Sequence, residues 1–257
     1  MGQIIRHPVV KIVFFLTVLI LFISCSKENP EITAFEEVSG NVQLYDMDGN
    51  EYSDNSGAIV SLEGTSISTT TNTNGKWVIS GLDPGTYTIK IGKQGFGTVK
   101  IYDARLYGGY TSVDPVSVFP IPAYKVTLTS AYNLDDNGFS ITAFYTGNLP
   151  LYPSIHLFFG KKSNVSSEPL TYDQELFYST FGATESVEFQ LSFSKLVLLD
   201  SGFKSKDSVY VTAYTDYGFR RAYNSIEPIW YLDMDTNTLV YPNLNPEKST
   251  TLSFILP

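Results

Sequence analysis

Residues 73–91 read TNGKWVISGLDPGTYTIKI and carry the clearest indication of the fold. Large apolar side chains recur there at every second position in two short runs, namely Trp77, Ile79, Tyr87 and Ile89. An Asn-Gly pair precedes the first run and an Asp-Pro-Gly segment separates the two, and both are turn signals. Because alternation with a period of two is typical of strands with one buried face, we predict two β-strands whose apolar side chains, Trp77 included, fill a core.

The same pattern extends on both sides of this stretch. Alternating runs separated by turn residues occur at 38–45, 58–62, 99–106 and 113–122. Strands of five or six residues with a turn signal roughly every 8 to 12 residues are typical of a β-sandwich. The last run contains three prolines, which suit an edge strand that closes a sandwich. We therefore predict that residues 38–122 form a first β-sandwich, with a domain boundary near Pro122.

Several segments of this first domain follow one another as they do in a known family. They are residues 40–42 (GNV), 57–65 (GAIVSLEGT), 73–79 (TNGKWVI), 81–89 (GLDPGTYTI) and 95–96 (GF). In this order, over about sixty residues, they resemble the carboxypeptidase regulatory-like family. The resemblance implies a transthyretin-like sandwich of about seven strands.

The resemblance also implies a noncatalytic role for the first domain. Members of the family sit beside peptidases, at the front of outer-membrane receptors and in surface lipoproteins of glycan-scavenging systems. A related group of sandwiches forms Lys-Asn isopeptide bonds, but residues 38–45 contain no lysine. We therefore do not predict that crosslink.

Residues 123–257 contain a second series of candidate strands. They lie at 124–132, 139–145, 154–159, 187–193, 209–214, 226–232 and 250–255. Seven strands again favour a β-sandwich. Residues 207–215 (DSVYVTAYT) resemble the penultimate strand of fibronectin type III and immunoglobulin-like domains, which implies that fold for the second domain. Residues 161–181 lack a clear period, and we expect a long loop or excursion there, a natural place for binding.

The beginning of the chain has the features of a bacterial lipoprotein signal. A short basic stretch is followed by twelve uncharged residues, 12–23. This run is too short for a membrane-spanning helix, which needs about 20 apolar residues, and it is typical of a signal peptide. Residues 21–25 (LFISC) resemble the lipobox of bacterial lipoproteins, although Phe22 stands where leucine is commonest. The resemblance implies that residues 1–24 are removed and that Cys25 is acylated.

Lipidation also explains how the chain uses its single cysteine. Cys25 can form no internal disulfide, and acylation removes a thiol that would be a liability in an oxidising compartment. Residues 25–37 then form a lipidated, flexible tether. Ser26 at the second mature position resembles the signal for sorting to the outer membrane, and Lys27-Glu28 looks like a short surface-export signal. We expect a lipid-anchored protein of the bacterial outer membrane, facing the periplasm or the outside.

The composition argues against nucleic acid as a partner. The chain has 26 acidic and 17 basic residues, and removal of the signal peptide leaves a net charge of about −11. Nucleic-acid binders present a basic face, which this composition does not indicate. Aromatic residues make up 14% of the chain, and this share, with abundant Thr, Ser and Val, favours an all-β fold.

Histidine and cysteine are too few for most catalytic or metal sites. His7 leaves with the signal peptide and Cys25 is acylated, so His156 is the one histidine of the folded part. A Cys/His zinc site needs three or four ligands, and a Ser-His-Asp triad would have to use His156 as its base. Because apolar residues alternate with it in 154–159, we interpret His156 as lying on the less buried face of a strand. We predict no catalytic residue, no metal and no cofactor.

Two acidic segments were candidates for calcium loops. Residues 46–50 and 233–237 share the pattern Asp-Met-Asp-x-Asn, which places oxygens at alternate positions. The rest of the EF-hand pattern is missing, because Glu51 and Thr238 occupy the position of the glycine. Hairpin turns explain both segments better. Paired carboxylates of a glycan hydrolase would have to face each other across a cleft, which spacing in an all-β chain does not show.

Aromatic side chains outside the first core are candidate glycan contacts, because sugar rings pack on aromatic faces. They are Tyr107, Tyr110, Tyr152, Tyr217, Tyr223, Trp230 and Tyr231. The alternative is that these side chains belong to the cores and edges of the sandwiches, where tyrosine is common.

Together these patterns favour a noncatalytic envelope lipoprotein that acts as a binding or scaffold module for another envelope protein. The alternative is a glycan-binding lipoprotein of a polysaccharide uptake system, and a glycan hydrolase is the third hypothesis. Several coplanar, solvent-facing aromatics in the second domain would favour glycan binding, whereas an aliphatic patch or an open strand edge would favour a protein partner.

Overall fold

The computed structural model describes residues 36–180, 188–222 and 225–257, with the side chains of Glu36 and residues 219–228 left aside. Cys25, the signal peptide and the tether up to residue 35 lie outside the described residues, as does Tyr223. The described part contains nineteen strands and one helix of four residues, α1 (Leu196–Leu199). The all-β prediction is confirmed.

The first β-sandwich has eight strands. They are β1 (Glu36–Leu44), β2 (Ile59–Leu62), β3 (Ser68–Thr70), β4 (Lys76–Leu82), β5 (Gly85–Gly92), β6 (Val99–Leu106), β7 (Tyr110–Ser112) and β8 (Val116–Val118). One sheet has the order β4-β1-β7, with β8 also paired to β1, and the other has the order β3-β2-β5-β6. Strand β1 is antiparallel to β4 and parallel to β7 and β8, so it is the central strand of its sheet.

The apolar residues that alternate in 73–91 are the ones whose side chains are buried in the core. Trp77 is 2% exposed, and Ile79 and Ile89 are also buried. Val78, which lies between Trp77 and Ile79, is exposed. The prediction that Trp77 is a packing residue is therefore confirmed. The turn before β4 requires glycine, because Gly75 has a φ of 76° and a Cβ there would lie 2.0 Å from the carbonyl oxygen of Val42.

The second β-sandwich has seven strands. They are β9 (Lys125–Asp135), β10 (Gly138–Thr146), β11 (Ser154–Gly160), β12 (Gln174–Ser179), β13 (Glu188–Ser194), β14 (Ser208–Asp216) and β19 (Leu252–Ile255). A three-stranded sheet, β13-β10-β9, and a four-stranded sheet, β12-β11-β14-β19, enclose one core. Three strands against four is the arrangement of seven-stranded immunoglobulin-like sandwiches, so the predicted class of two sandwiches is confirmed.

One strand prediction and part of one loop prediction for this second part are wrong. The strand expected at 226–232 belongs to neither sheet, because the chain between β14 and β19 forms two hairpins instead. The hairpin strands are β15 (Gly218–Ala222) with β16 (Ser225–Pro228), and β17 (Tyr231–Asp233) with β18 (Thr238–Val240). Residues 161–181, expected to be a loop, contain β12. Most side chains of β12 are half-buried, so no alternation of polar and apolar residues reveals it.

The two sandwiches belong to one compact unit, which spans Phe35–Pro257. The first core cluster ends at Val118 and the second begins at Tyr124. The boundary at Pro122 lies between them and stays a prediction. An aromatic stack connects the end of β1 to the end of β14, because Phe119 packs on Tyr45 at 5.0 Å and on Tyr217 at 4.9 Å between ring centroids.

Candidate ligand-binding face

The aromatic residues proposed as glycan contacts lie in different surroundings. Tyr107 is 80% and Tyr110 is 68% exposed, both beside the Gly-Gly turn between β6 and β7. Trp230 is 58% exposed, whereas Tyr152 and Tyr231 are half-buried.

Tyr217 is wrong as a glycan contact. It is 2% exposed, and its ring lies against Phe119 in the stack between the sandwiches. The same burial raises the pKa of its phenol. Sequence alone did not distinguish Tyr217 from Tyr110, because Tyr217 lies within a turn signal, residues 216–218, and Tyr110 directly follows another, residues 108–109.

The outward side of the sheet β4-β1-β7 presents a regular grid of side chains around Tyr110. Strand register sets Glu37 opposite Ser80 and Tyr110, Ser39 opposite Val78 and Ser112, and Asn41 opposite Lys76. Directly opposed residues of a sheet project to the same side. We call this surface the tyrosine face and define it by these eight residues.

An open groove of about 300 Å³ runs along the tyrosine face. The hydroxyls of Tyr110 and Ser39 form a hydrogen bond of 2.7 Å, which holds the tyrosine ring over the middle strand. Asn41 donates from Nδ2 to the carbonyl of Asn74 at 2.9 Å, so its side-chain oxygen keeps its acceptor capacity. The volume is at the lower end of ligand sites in proteins.

Charge is unevenly placed on this face. Among the residues that line the groove, Lys76 is the one charged side chain. Glu37 lies beyond the groove, on the row of Tyr110, where its Oε2 accepts a hydrogen bond of 2.9 Å from the Ser80 hydroxyl. The Lys76 ammonium has no hydrogen bond or ion pair within the described part of the chain. The tyrosine face therefore combines one exposed ring, several hydroxyl and amide groups, and a cation at one end.

A second surface lies on the hairpin of β17 and β18. Leu232 and Leu239 oppose each other in register and are 39% and 37% exposed, and the exposed Trp230 directly precedes β17. Met234 in the turn is 59% exposed. We call these four residues the hairpin face.

The other side of that hairpin is fastened to the first sandwich. Lys100 on β6 lies 3.1 Å from Asp233 and 3.0 Å from Glu63. The hydrogen bond from Lys100 is the main cause that lowers the pKa of Asp233 to about 2, and the Glu63 contact raises the pKa of Lys100. Asp233 also accepts hydrogen bonds from the backbone N–H groups of Asp235 and Thr236. Its oxygens therefore serve the turn and the ion pair.

The first Asp-Met-Asp segment is a turn as well. Asp46 Oδ1 accepts backbone hydrogen bonds from Asp48 and Asn50, at 2.9 Å and 2.8 Å. Burial opposes ionisation, but the bonds from Asn50 and its neighbours prevail and lower the pKa of Asp46. No group of three or more His, Cys, Asp and Glu residues that could hold a metal ion occurs in residues 36–180, 188–222 and 225–257.

The structure overturns the interpretation of His156. This side chain is 1% exposed, because β11 is buried on both faces: a small cluster that includes Val165 and Tyr241 covers the face we expected to be open. Its Nδ1 lies 3.1 Å from Oδ2 of Asp216, which is fully buried. Desolvation raises the pKa of Asp216, and the contact with His156 opposes that shift.

The His156–Asp216 pair has two members of a catalytic triad and lacks the third. Nε2 of His156 has no hydrogen-bond partner, so no serine hydroxyl meets it within the described chain. The sequence contained one signal for this pair, since Asp216 ends an apolar strand at a turn, but its distance of 60 residues from His156 hid the contact.

Within the described residues, no helix has the length and apolar character needed to cross a membrane.

Comparison with known proteins gives a family for part of the chain. Residues 50–118 match the carboxypeptidase regulatory-like domain. No curated protein matches the chain.

This chain is also similar to solved structures of other proteins. A DUF3823 family protein from Bacteroides uniformis is 14% identical, with 86% of this chain and 99% of that chain covered and a TM-score of 0.32. A protein of the same species, described as a candidate carbohydrate binding protein, is 16% identical, with the same coverage and a TM-score of 0.29. A chain of a mutant type II cohesin-X-dockerin complex from Acetivibrio cellulolyticus is 24% identical, over 33% of this chain, with a TM-score of 0.30.

This chain spans 58% of the length of the Acetivibrio chain, which is less than two thirds. The match to residues 50–118 covers most of the first sandwich, from the turn after β1 to β8. Those residues include the stretch 73–91 that carried the resemblance in the sequence. The first β-sandwich of this protein therefore carries a carboxypeptidase regulatory-like domain, as its sequence predicted.

Proposed function

We propose that this protein is a noncatalytic, lipid-anchored binding protein of the bacterial envelope and that it binds glycan on the tyrosine face. The observation that carries the proposal is Tyr110, whose ring is 68% exposed above a groove lined by hydroxyl and amide groups. Glycan binding is the alternative among the sequence predictions, and the exposed ring that supports it lies on the first sandwich, whereas we expected such rings in the second domain.

The exposed ring of Tyr110 is suited to contact with a sugar. A tyrosine ring offers an apolar surface on which the C–H side of a sugar ring can pack. Solvent exposure leaves that surface available, and the 2.7 Å hydrogen bond to Ser39 restrains the side chain before any ligand arrives. A restrained ring loses less conformational entropy on binding, which favours affinity.

Polar groups on the neighbouring strands supply the other half of sugar recognition. Ser112 and Asn41 line the groove at different rows, and both can bond to sugar hydroxyls. Because all these groups stand on strands of one sheet, their spacing is set by backbone hydrogen bonds rather than by a loop. A rigid, open platform of this kind suits one side of an extended chain better than a small enclosed ligand.

The proposed lipid anchor determines where the protein would meet its glycan. Acylated Cys25 would hold the protein at the membrane surface, and the tether that follows it would reach at most about 3.5 Å per residue. The folded part would then stay close to the membrane and sample glycans near it. A Cys25→Ser variant should be exported and recovered without detergent, whereas sedimentation of that variant with membranes would contradict the anchor.

Binding can be tested with the purified mature protein in mild detergent, by affinity electrophoresis on a polysaccharide panel and then by calorimetry. Tyr110→Ala should weaken binding of the retained glycan roughly tenfold, as expected for the loss of a central aromatic contact. Tyr110→Phe keeps the ring and should lose much less. Tyr178→Ala removes another exposed tyrosine, on β12, and serves as the matched control.

Two outcomes would overturn the glycan proposal. One is that no polysaccharide retards the wild-type protein. The other is that Tyr110→Ala and Tyr178→Ala bind equally well, because the tyrosine face would then be uninvolved. Release of sugar products on prolonged incubation would instead support the hydrolase hypothesis.

A protein partner remains the second candidate, and the hairpin face is the observation that favours it. Trp230, Leu232 and Leu239 form an exposed apolar surface on the second part of the chain, and no array of exposed tyrosines accompanies them among its described residues. Their hairpin is held from behind by the Lys100 ion pairs, so it is presented rigidly.

Crosslinking in intact cells tests this second candidate. A tagged wild-type protein should crosslink to a specific envelope protein, and a Leu232→Ser/Leu239→Ser double variant should lose that product. Leu170→Ser, which changes an isolated and fully exposed leucine, is the control. Recovery of the same product from both variants would exclude the hairpin face as the contact.

A further inference from the structure

The groove on the tyrosine face departs from the charge of the molecule around it. The sequence has a net charge of −9, and acids outnumber bases by 26 to 17. Yet the lining of the groove contains Lys76 and no acid among the described residues. A surface that is locally positive on an acidic protein attracts a negative group to one place only.

The position of this cation relative to Tyr110 follows from strand register. Tyr110 stands on the row of Glu37 and Lys76 on the row of Asn41, four residues further along β1 and two strands away. With about 3.3 Å per residue and about 4.8 Å between strands, their Cα atoms are separated by roughly 16 Å. The hydroxyl of Tyr110 reaches Ser39, one row nearer to Lys76, so the ring leans toward the lysine.

The remaining gap between the ring and the ammonium is therefore about 10 to 13 Å, which is roughly the length of two sugar rings. Ser39, Ser112 and Asn41 lie along this path. A ligand that packs on Tyr110 and runs diagonally across β1 would bring its next units over these polar groups and then to Lys76.

We propose, resting on the proposed function above, that the tyrosine face selects an oligosaccharide with an anionic substituent roughly two units from the sugar that packs on Tyr110, and that Lys76 pairs with that substituent. The substituent is a carboxylate or a sulfate, because either presents oxygens to an ammonium. Glu37 stands beside Tyr110 and repels negative charge there, so the unit on the ring is neutral. The tyrosine face therefore binds a neutral sugar at the Tyr110 end and an anionic substituent at the Lys76 end.

The size of the effect follows from exposure. Lys76 is exposed, and an ion pair in contact with water adds roughly three- to fivefold in affinity. That contribution should fall as salt is raised from about 0.01 M to 0.5 M, because exposed charges are screened. Packing on Tyr110 is not ionic and should depend little on salt.

The test uses matched pairs of polysaccharides: uronate polymers with their carboxyl-reduced forms, and sulfated polymers with their desulfated forms. The wild-type protein should bind the anionic member of at least one pair about three- to fivefold more tightly at low salt. In Lys76→Gln, the ratio of anionic to neutral affinity should fall to about one. Lys162→Gln, which removes an exposed lysine from the second sandwich, should keep the wild-type ratio.

Each result separates the inference from the function on which it rests. Glycan binding with a ratio of one in every pair would overturn the anionic specificity and leave the proposed function standing. A high ratio that persists in Lys76→Gln would remove Lys76 from the site. Failure of the wild-type protein to bind any member would overturn the proposed function, and the inference with it. The class of pair that shows the ratio identifies carboxylate or sulfate.

Discussion

Residues 46–50 and 233–237 share the letters Asp-Met-Asp-x-Asn, and each belongs to a turn of a different part of the molecule. In both, the first aspartate accepts a hydrogen bond from the backbone N–H two residues later. The methionines differ, because Met47 packs against the core of the second sandwich whereas Met234 is 59% exposed. The same short pattern therefore makes the same local turn and meets opposite surroundings.

Each turn nevertheless fastens one sandwich to the other. From the first sandwich, Asp48 Oδ1 accepts a hydrogen bond of 2.8 Å from the backbone N–H of Leu151. From the second part, Asp233 pairs with Lys100 on β6. The first turn uses packing and a backbone contact, and the second uses charge. A turn pattern therefore predicts its own hydrogen bonds but not the residues that the turn contacts elsewhere in the molecule.

A substitution in the aromatic stack of Tyr45, Phe119 and Tyr217 should have the greatest effect on stability. Phe119→Ala should lower the free energy of unfolding by about 3 kcal/mol, because it removes a buried ring that packs on both Tyr45 and Tyr217. Urea unfolding of the mature protein measures this loss. Phe119→Leu keeps apolar volume and should lose about 1 kcal/mol. Equal losses in the two variants would show that the stacking of the Phe119 ring adds nothing beyond its apolar volume.

The methionines of the two turns should differ in their contribution to stability. Met47→Ala should cost about 1–2 kcal/mol, since half-buried methionine contributes less than the fully buried residue. Met234→Ala, at the same place in the pattern, should change stability by less than about 0.5 kcal/mol because its side chain is exposed. Thermal or urea unfolding of both variants measures the two losses of stability. Similar values would mean that the two turns have similar environments.

Acid should destabilise the turn at residues 233–237 by protonating Asp233. The pKa of Asp233 is lowered from 3.8 to about 2, so its ionised form stabilises the fold above about pH 4 and that stabilisation is lost as the pH falls toward 2. Between about pH 5 and about pH 2.5, the wild-type protein should lose more stability than Asp233→Asn.

Lys100→Met provides the check on that acid response. It removes the ammonium that is the main cause of the low pKa, so its loss of stability between the two pH values should also be smaller than that of the wild type. If both variants respond to acid as the wild-type protein does, the Lys100 contact does not set the acid sensitivity of this turn.

Calcium should have the smallest effect of all. The oxygens of Asp46 are bonded to Asp48 and Asn50, and those of Asp233 to Lys100 and the backbone of its own turn. Millimolar calcium should therefore shift the Tm by less than about 1 °C. A larger shift that disappears in Asp46→Asn would restore the first turn as a calcium site.

Some side-chain positions in this chain can be predicted from sequence and others cannot. Trp77 was placed correctly because its neighbours in the strand alternate with it, and alternation is a local property. Tyr110 and Tyr217 were grouped together, yet one is exposed and the other 2% exposed. His156 was placed on an open face that Val165 and Tyr241 cover in the structure.

Most strands of the first sandwich, its tight turns and its resemblance to a known family could be predicted from sequence, because these features depend on neighbours a few positions apart and on glycines such as Gly75, where a positive φ leaves no room for a Cβ. Tertiary structure decided which faces stay open. The contact of Lys100 with Asp233 joins residues 133 positions apart, and strand register alone brings Lys76 onto the same face as Tyr110. Such contacts form only when the whole sandwich closes, so no short stretch of the chain encodes them.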